Sequence, residues 1–275
     1  MSMGRTKADL AETAEAATQD ILADRGLARL VMLIVEDLHP EQIWLFGSRA
    51  RGDARSDSDY DLFVVVPDDA PAEKMSAAHT FRLAGEAPVP ADVLAFRRHV
   101  FATERDLIGT LFYTVAREGV LIYEDDASLP NRSSPLMTAG GKKPTVSDVI
   151  GRWLKRADID LTAIRNLLYG PEPSAESAAY HCQQAAEKIM KAGLITAGVH
   201  PPKEHNLREL NALLPPGNPL APVFRPLEPL SAYITAFRYP DEPNIPVPSL
   251  SEIEGWVGQI VNAKDAVVRA ARPET

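Results

Sequence analysis

Apolar residues return along this chain in two regimes, with the change near the middle. Over 7–38 the residues Ile21, Leu22, Leu27, Leu30, Ile34, Val35 and Leu38 recur at the spacing of a helix, and His39-Pro40 ends the run. The stretch Ile43 to Phe46 is continuously apolar and predicts a strand over 42–47, and a second strand is predicted from near Asp59 through Val66. Pro67-Asp68-Asp69-Ala70-Pro71 reads as a turn into a helix over 71–84. A strand over 91–96, a helix from Phe101 to Arg117 and a short strand from Val120 to Tyr123 follow, closed by Glu124-Asp125-Asp126. Helices and strands in this order predict an α/β (α+β) domain with a small mixed sheet.

Over 127–145 the composition turns to Ser, Pro, Asn, Gly and Lys, which predicts a linker between a first domain of 1–126 and a second of 146–275. No strand pattern appears beyond it. Val149, Ile150, Trp153, Leu154, Ile159, Leu161, Ile164, Leu167 and Leu168 predict a long helix over 146–169, stopped by Gly170-Pro171. A second long helix is predicted over 174–197, with Gly198 as its terminator. Shorter helices are predicted at Leu207–Leu214 and Leu230–Arg238, because prolines crowd the chain between Pro201 and Pro248. The last helix, 250–271, carries Ile253, Trp256, Val257, Ile260, Val261 and Val267 on one side, and the whole predicts an all-α bundle of four or five helices.

The bulk properties exclude several roles. A formal charge of −9 and a pI near 5.2 disfavour broad attraction to nucleic acid or an anionic membrane surface. The single cysteine, Cys182, rules out an internal disulfide framework and stands in a helical context, as a small buried hydrophobe would. Residues 1–20 lack the continuous apolar core of a secretory signal, and Leu27 to Leu38 is too short to span a bilayer, so a cytoplasmic location is expected.

The chemistry concentrates between 47 and 92. Gly47-Ser48 closes the first predicted strand, and Asp59 and Asp61 follow about ten residues later at the head of the second. Residues two apart in a strand point to one side, with Cα atoms about 6.5–7 Å apart. Paired carboxylates beside a Gly-Ser turn suit a hard divalent cation facing a phosphate cradle. Asp92 stands early in the strand predicted over 91–96. Arg49, Arg51 and Arg55 flank the turn as candidate phosphate ligands or as solvated charges.

Gly47-Ser48-Arg49-Ala50-Arg51-Gly52 with Ser58-Asp59-Tyr60-Asp61-Leu62 resembles the minimal nucleotidyltransferases of the DNA polymerase beta-like superfamily. The resemblance implies that Gly47, Ser48, Arg51 and Ser58 face a nucleoside triphosphate, with ATP as the expected donor. It also implies that Asp59, Asp61 and Asp92 are catalytic and bind Mg²⁺, two ions in all.

Ala179-Tyr180-His181-Cys182-Gln183-Gln184, with Glu187-Lys188, His205-Asn206-Leu207-Arg208 and Arg238-Tyr239-Pro240, resembles the HEPN family. No histidine of the chain follows an arginine at the four-to-six-residue spacing of the ribonuclease members, so that resemblance implies the fold without RNA cleavage. Minimal nucleotidyltransferases and HEPN proteins often occur as partners, and kanamycin nucleotidyltransferase also carries a HEPN-like helical domain. The resemblances together imply transfer of a nucleoside monophosphate to a hydroxyl on a protein partner or on a small molecule of the aminoglycoside type. A homodimer through the helical domain is expected. A non-catalytic nucleotide-binding or regulatory module is the alternative. Within the helical half, His181, Gln184 and Lys188 share one helix face; with Lys191, His205, Arg208 and Arg238 they form either an ordering patch or a surface meeting acceptor or nucleotide. His181, Lys188 and Arg238 are the candidates for such contacts.

Overall fold

The computed structural model describes residues 24–55, 57–125, 143–234 and 246–272. These fall into two compact units, one holding 24–106 and 110–143, the other 107–109 and 144–272. Leu107–Gly109 thus belong to the second unit, although they lie inside the predicted first domain. Most of the predicted linker lies outside the described residues.

The first unit is a mixed sheet with helices on both faces. Helix α1 is Arg25–Leu38, and the strands are β1 (Gln42–Phe46), β2 (Tyr60–Val66), β3 (Ala91–Arg97) and β4 (Val120–Glu124). Their order is β3-β2-β1-β4; β1 is antiparallel to β2 and β4, while β2 and β3 are parallel. Between β1 and β2 lies the short helix α2 (Gly47–Arg51), and α3 (Ala77–Gly85) precedes β3. The helix predicted from Phe101 to Arg117 is two, α4 (Arg98–Glu104) and α5 (Leu111–Glu118). Gly109 takes a left-handed φ of 85°, and Thr110 caps α5 by accepting the Tyr113 N–H at 3.1 Å.

Beyond Asp61, strand β2 runs as unbroken apolar sequence from Leu62 to Val66, because both of its faces are covered there. Leu62, Val64 and Val66 pack with Leu27, Leu30 and Ile34 of α1. Phe63 and Val65 face the other way, toward Phe46, Phe101, Phe112 and Val115. The Phe63 and Phe96 rings stack at 5.0 Å.

The second unit is all helix among its described residues: α6 (Val146–Tyr169), α7 (Ala175–Thr196), α8 (Leu207–Ala212), α9 (Ala221–Phe224), a 3₁₀ segment Arg225–Ile234 and α10 (Leu250–Ala270). Capping boxes start α6 (Thr145 with Asp148) and α10 (Ser249 with Glu252). Helix α7 is central, buried on most of its circumference, and its alanines and glycine let neighbours close in. A Cβ on Gly193 would lie 2.6 Å from the Phe224 ring. Cys182 is fully buried there, and burial pushes its thiol pKa up to about 12, which rules out a nucleophilic role. Ile159, by contrast, is exposed although it matched the apolar spacing. Among the described residues no helix is long and apolar enough to cross a membrane.

Candidate active site

The site forms where β1 ends and β2 begins. Asp61 is the half-buried second residue of β2, and every residue of the strand beyond it is buried. Across the ladders its partners are Phe46 of β1 and Asp92 of β3. Register partners on adjoining strands face the same way about 4.8 Å apart, so Asp61 and Asp92 stand side by side on the aromatic face of the sheet. Asp92 is exposed. Asp59, also exposed, lies just ahead of β2. The Tyr60 N–H opens the parallel ladder by donating to the Pro90 carbonyl at 2.9 Å, and Asp59 precedes the strand, so the alternation expected from the sequence does not set its side.

Above Asp61 the chain leaves β1 through Gly47. Its φ of 75° belongs to the left-handed region, which suits glycine. A Cβ at this position would lie 1.9 Å from Asp61 Oδ2 and 2.8 Å from its Cγ. Glycine is therefore demanded twice, by the backbone and by the carboxylate resting against its Cα. Half-buried Ser48 follows at the start of α2, whose first turn takes no side-chain cap. Gly52, with φ 80°, ends the helix, and the Asp53 N–H returns to the Ser48 carbonyl at 3.1 Å.

These residues fit a hard divalent cation. The donor set is carboxylate oxygen alone, and Gly47 carries no Cβ to clash with the Asp61 carboxyl. Among the described residues no three His, Cys, Asp or Glu side chains converge as a ready-made metal cluster. Mg²⁺ commonly binds through one or two carboxylates, with waters and substrate phosphates completing its shell, so the Asp61–Asp92 pair meets that need.

The flanking arginines divide by role. Arg49 donates from Nε and Nη2 to the Ser58 carbonyl at 2.9 and 2.6 Å, and its guanidinium lies 4.0 Å from the centre of the Tyr60 ring. Arg51 is bound to Asp53 at 3.2 Å and, more loosely, to Glu118 at 3.8 Å. Ser58 serves a tight turn, its Oγ accepting the Arg55 N–H at 2.9 Å. The Tyr60 hydroxyl donates to Asp24 Oδ2 at 2.7 Å, and Asp24 in turn caps α1 through the Gly26 and Leu27 N–H groups. The Tyr60 hydrogen bond, with the backbone bonds behind it, holds the Asp24 carboxyl below its usual range. Burial, then the Asp24 bond, raises the Tyr60 phenol.

In the second unit the polar set is a hydrogen-bonded chain. Buried Asp160 accepts from His181 Nδ1 at 3.0 Å and from Lys188 Nζ at 2.7 Å. Lys188 also reaches Gln184 Oε1 at 3.2 Å, and Gln184 donates to Gln183 Oε1 at 2.8 Å. Gln183 donates to Glu187, whose carboxylate also pairs with Lys191 at 2.9 Å and His205 at 3.1 Å. His181 and Lys188 are therefore engaged by a buried anion. Arg208 pairs loosely with Glu228 at 3.5 Å. Arg238 lies outside the described residues. Asp160 escaped sequence reasoning, and Glu187 was read only as part of a motif and not as a buried anion, although each sits at core spacing among apolar residues.

A family model described as a nucleotidyltransferase domain matches residues 29–114, the span that holds Gly47, Asp61 and Asp92, and one described as a HEPN domain matches residues 150–267. None of the curated proteins matches the chain. A nucleotidyltransferase-like protein from Exiguobacterium sibiricum 255-15, known from a crystal structure, is 13% identical over 92% of this chain and 78% of its own, with a TM-score of 0.37. A likeness that loose adds nothing to the family matches. Residues 29–114 belong to the nucleotidyltransferase domain family and residues 150–267 to the HEPN domain family.

Proposed function

We propose that the first unit transfers AMP from ATP to a hydroxyl on a protein partner, using divalent cations held by Asp59, Asp61 and Asp92. The observation that carries this reading is the register of Asp61 against Asp92 beneath a glycine whose Cα rests on the Asp61 carboxyl. In it the triphosphate lies along the Gly47–Ser48 turn, where the leading N–H groups of α2 and the Ser48 hydroxyl face phosphate oxygens. When bound, Mg²⁺ neutralises charge developing on the phosphates and lowers the pKa of the acceptor hydroxyl. With the phosphates along the Gly47–Ser48 turn and a cation that the carboxylates would hold beside them, the acceptor oxygen bonds to the α-phosphorus and gives its proton to water as the bond to the bridging oxygen breaks and pyrophosphate leaves. Arg51 turns from Asp53 to the phosphates when ATP enters, because its side chain is part-exposed and its ion pairs are of the weak surface kind. The HEPN unit orders the protein as a homodimer and does not cleave RNA.

The test follows α-labelled ATP and pyrophosphate release with Mg²⁺. Wild type should release pyrophosphate and leave label on a protein hydroxyl, while Asp59→Asn with Asp61→Asn should do neither. Label on an added aminoglycoside instead would move the acceptor to a small molecule. Undiminished release by the double variant would overturn the mechanism.

A further inference from the structure

Asp59 presents a positioning problem. It precedes β2, so no β2 ladder pairing sets its direction, yet the proposed chemistry needs it beside Asp61. On its C-terminal side the chain is held by the Tyr60 ladder bond. On its N-terminal side Ser58 is bonded within its own turn to Arg55, and the group that ties it to the rest of the fold is Arg49, which grips the Ser58 carbonyl with two N–H donors at 2.9 and 2.6 Å. We infer that Arg49 is a positioning residue of the carboxylate site, fixing where the chain delivers Asp59 through its fork on Ser58 and its platform on Tyr60. The inference rests on the nucleotidyl-transfer reading.

The platform is itself anchored. The Tyr60 ring is buried, and its hydroxyl is tied to Asp24 at the head of α1. Arg49 therefore links the Ser58 carbonyl to the packed core rather than to another surface group. Arginine is required on two counts: two parallel N–H donors meet one carbonyl, and a planar cation lies on an aromatic face. Lysine would keep the charge but lose the fork and the stacking. A role confined to electrostatic attraction of phosphate would survive Arg49→Lys; a positioning role would not.

Three readings on the full chain separate the cases: Mn²⁺ affinity without nucleotide by calorimetry, amide exchange over 57–60 in the metal-free protein, and kcat and KM for pyrophosphate release. Arg49→Lys and Arg49→Gln should each quicken exchange and weaken Mn²⁺ binding about tenfold, as expected for losing a charge-assisted bond, with kcat falling more than KM rises. Tyr60→Phe, which keeps the ring, should shift both readings less. Asp61→Asn is the reference and should abolish Mn²⁺ binding and turnover. If it changes neither, the nucleotidyl-transfer reading itself fails. If Asp61→Asn behaves as expected but Arg49→Lys keeps wild-type exchange and Mn²⁺ affinity, the positioning role alone is overturned. A rise in the KM for ATP as the sole effect of Arg49→Lys would also overturn it, making Arg49 a phosphate ligand.

Discussion

Replacing Gly47 with alanine tests the site at its tightest point. Two costs are separable because Gly52, five residues on, shares one of them. Gly47 and Gly52 have φ of 75° and 80°, so alanine at either carries the left-handed backbone strain of about 1–2 kcal/mol. Around Gly52 a Cβ would meet nothing within 4 Å, whereas at Gly47 it would lie 1.9 Å from Asp61 Oδ2. The carboxylate must swing away or the turn must shift by more than 1 Å, a misplacement that can lower turnover about 100-fold. Gly52→Ala should lower stability to urea by about 1–2 kcal/mol while pyrophosphate release stays within a few-fold of wild type. Gly47→Ala should match or exceed that loss of stability and lose about two orders of magnitude in release. Both are measured by urea titration and by a coupled pyrophosphate assay. If Gly47→Ala is no more impaired in turnover than Gly52→Ala, the contact with Asp61 does not matter to catalysis and the proposed geometry is wrong.

Other predictions bear on the supports around the site and on the helical unit. The Asp24–Tyr60 bond gives stability a defined pH window. Asp24 titrates below its ordinary 3.8 in the fold, so its contribution is fully present above that value and is lost as pH falls through the folded value. Tyr60 titrates above its ordinary 10.0, so its contribution is fully present below that value and is lost as pH rises through the folded one. Thermal melting of Tyr60→Phe should therefore depend less on pH at both extremes, and an unchanged profile would remove the bond from the account. In the helical unit Glu187 and Lys191 are each 6% exposed, so Lys191→Met alone should cost about 3–5 kcal/mol in urea unfolding. Adding Glu187→Gln should recover part of that loss, and additive losses would mean the two charges are not coupled. Cys182, with its thiol raised to about 12 by burial, should react with a thiol reagent only at the rate of unfolding; prompt reaction in the folded protein would contradict its placement.

The site was legible in outline because its parts are close in sequence and tied to strand geometry. Gly47-Ser48 falls where an apolar run stops, and Asp61 is the one charge at the head of a fully buried strand. Asp92 required only that its strand lie beside β2, which the parallel pairing provides. The roles of the arginines were not legible. Arg49, Arg51 and Arg55 look alike as a cluster of cations, yet Arg49 is committed to a backbone carbonyl and a buried ring, while Arg51 pairs at the surface. The break between α4 and α5 was hidden for a similar reason, since apolar spacing runs on across 105–110, where α4 stops at Glu104, Gly109 takes a positive φ and Thr110 caps the start of α5.

What the amino-acid order determined by itself is therefore the local part: periodicity, turns, caps and the alternation that sets Asp61 and Phe63 to one side of β2. These depend on neighbours within a few residues, whose sterics and hydrogen bonds are the same in any fold. Tertiary structure alone decided which distant groups meet: Asp92 against Asp61, Tyr60 against Asp24, and Asp160 between His181 and Lys188. Those meetings depend on strand order and helix packing, through which burial makes an unpaired charge costly enough to select a partner from far along the chain.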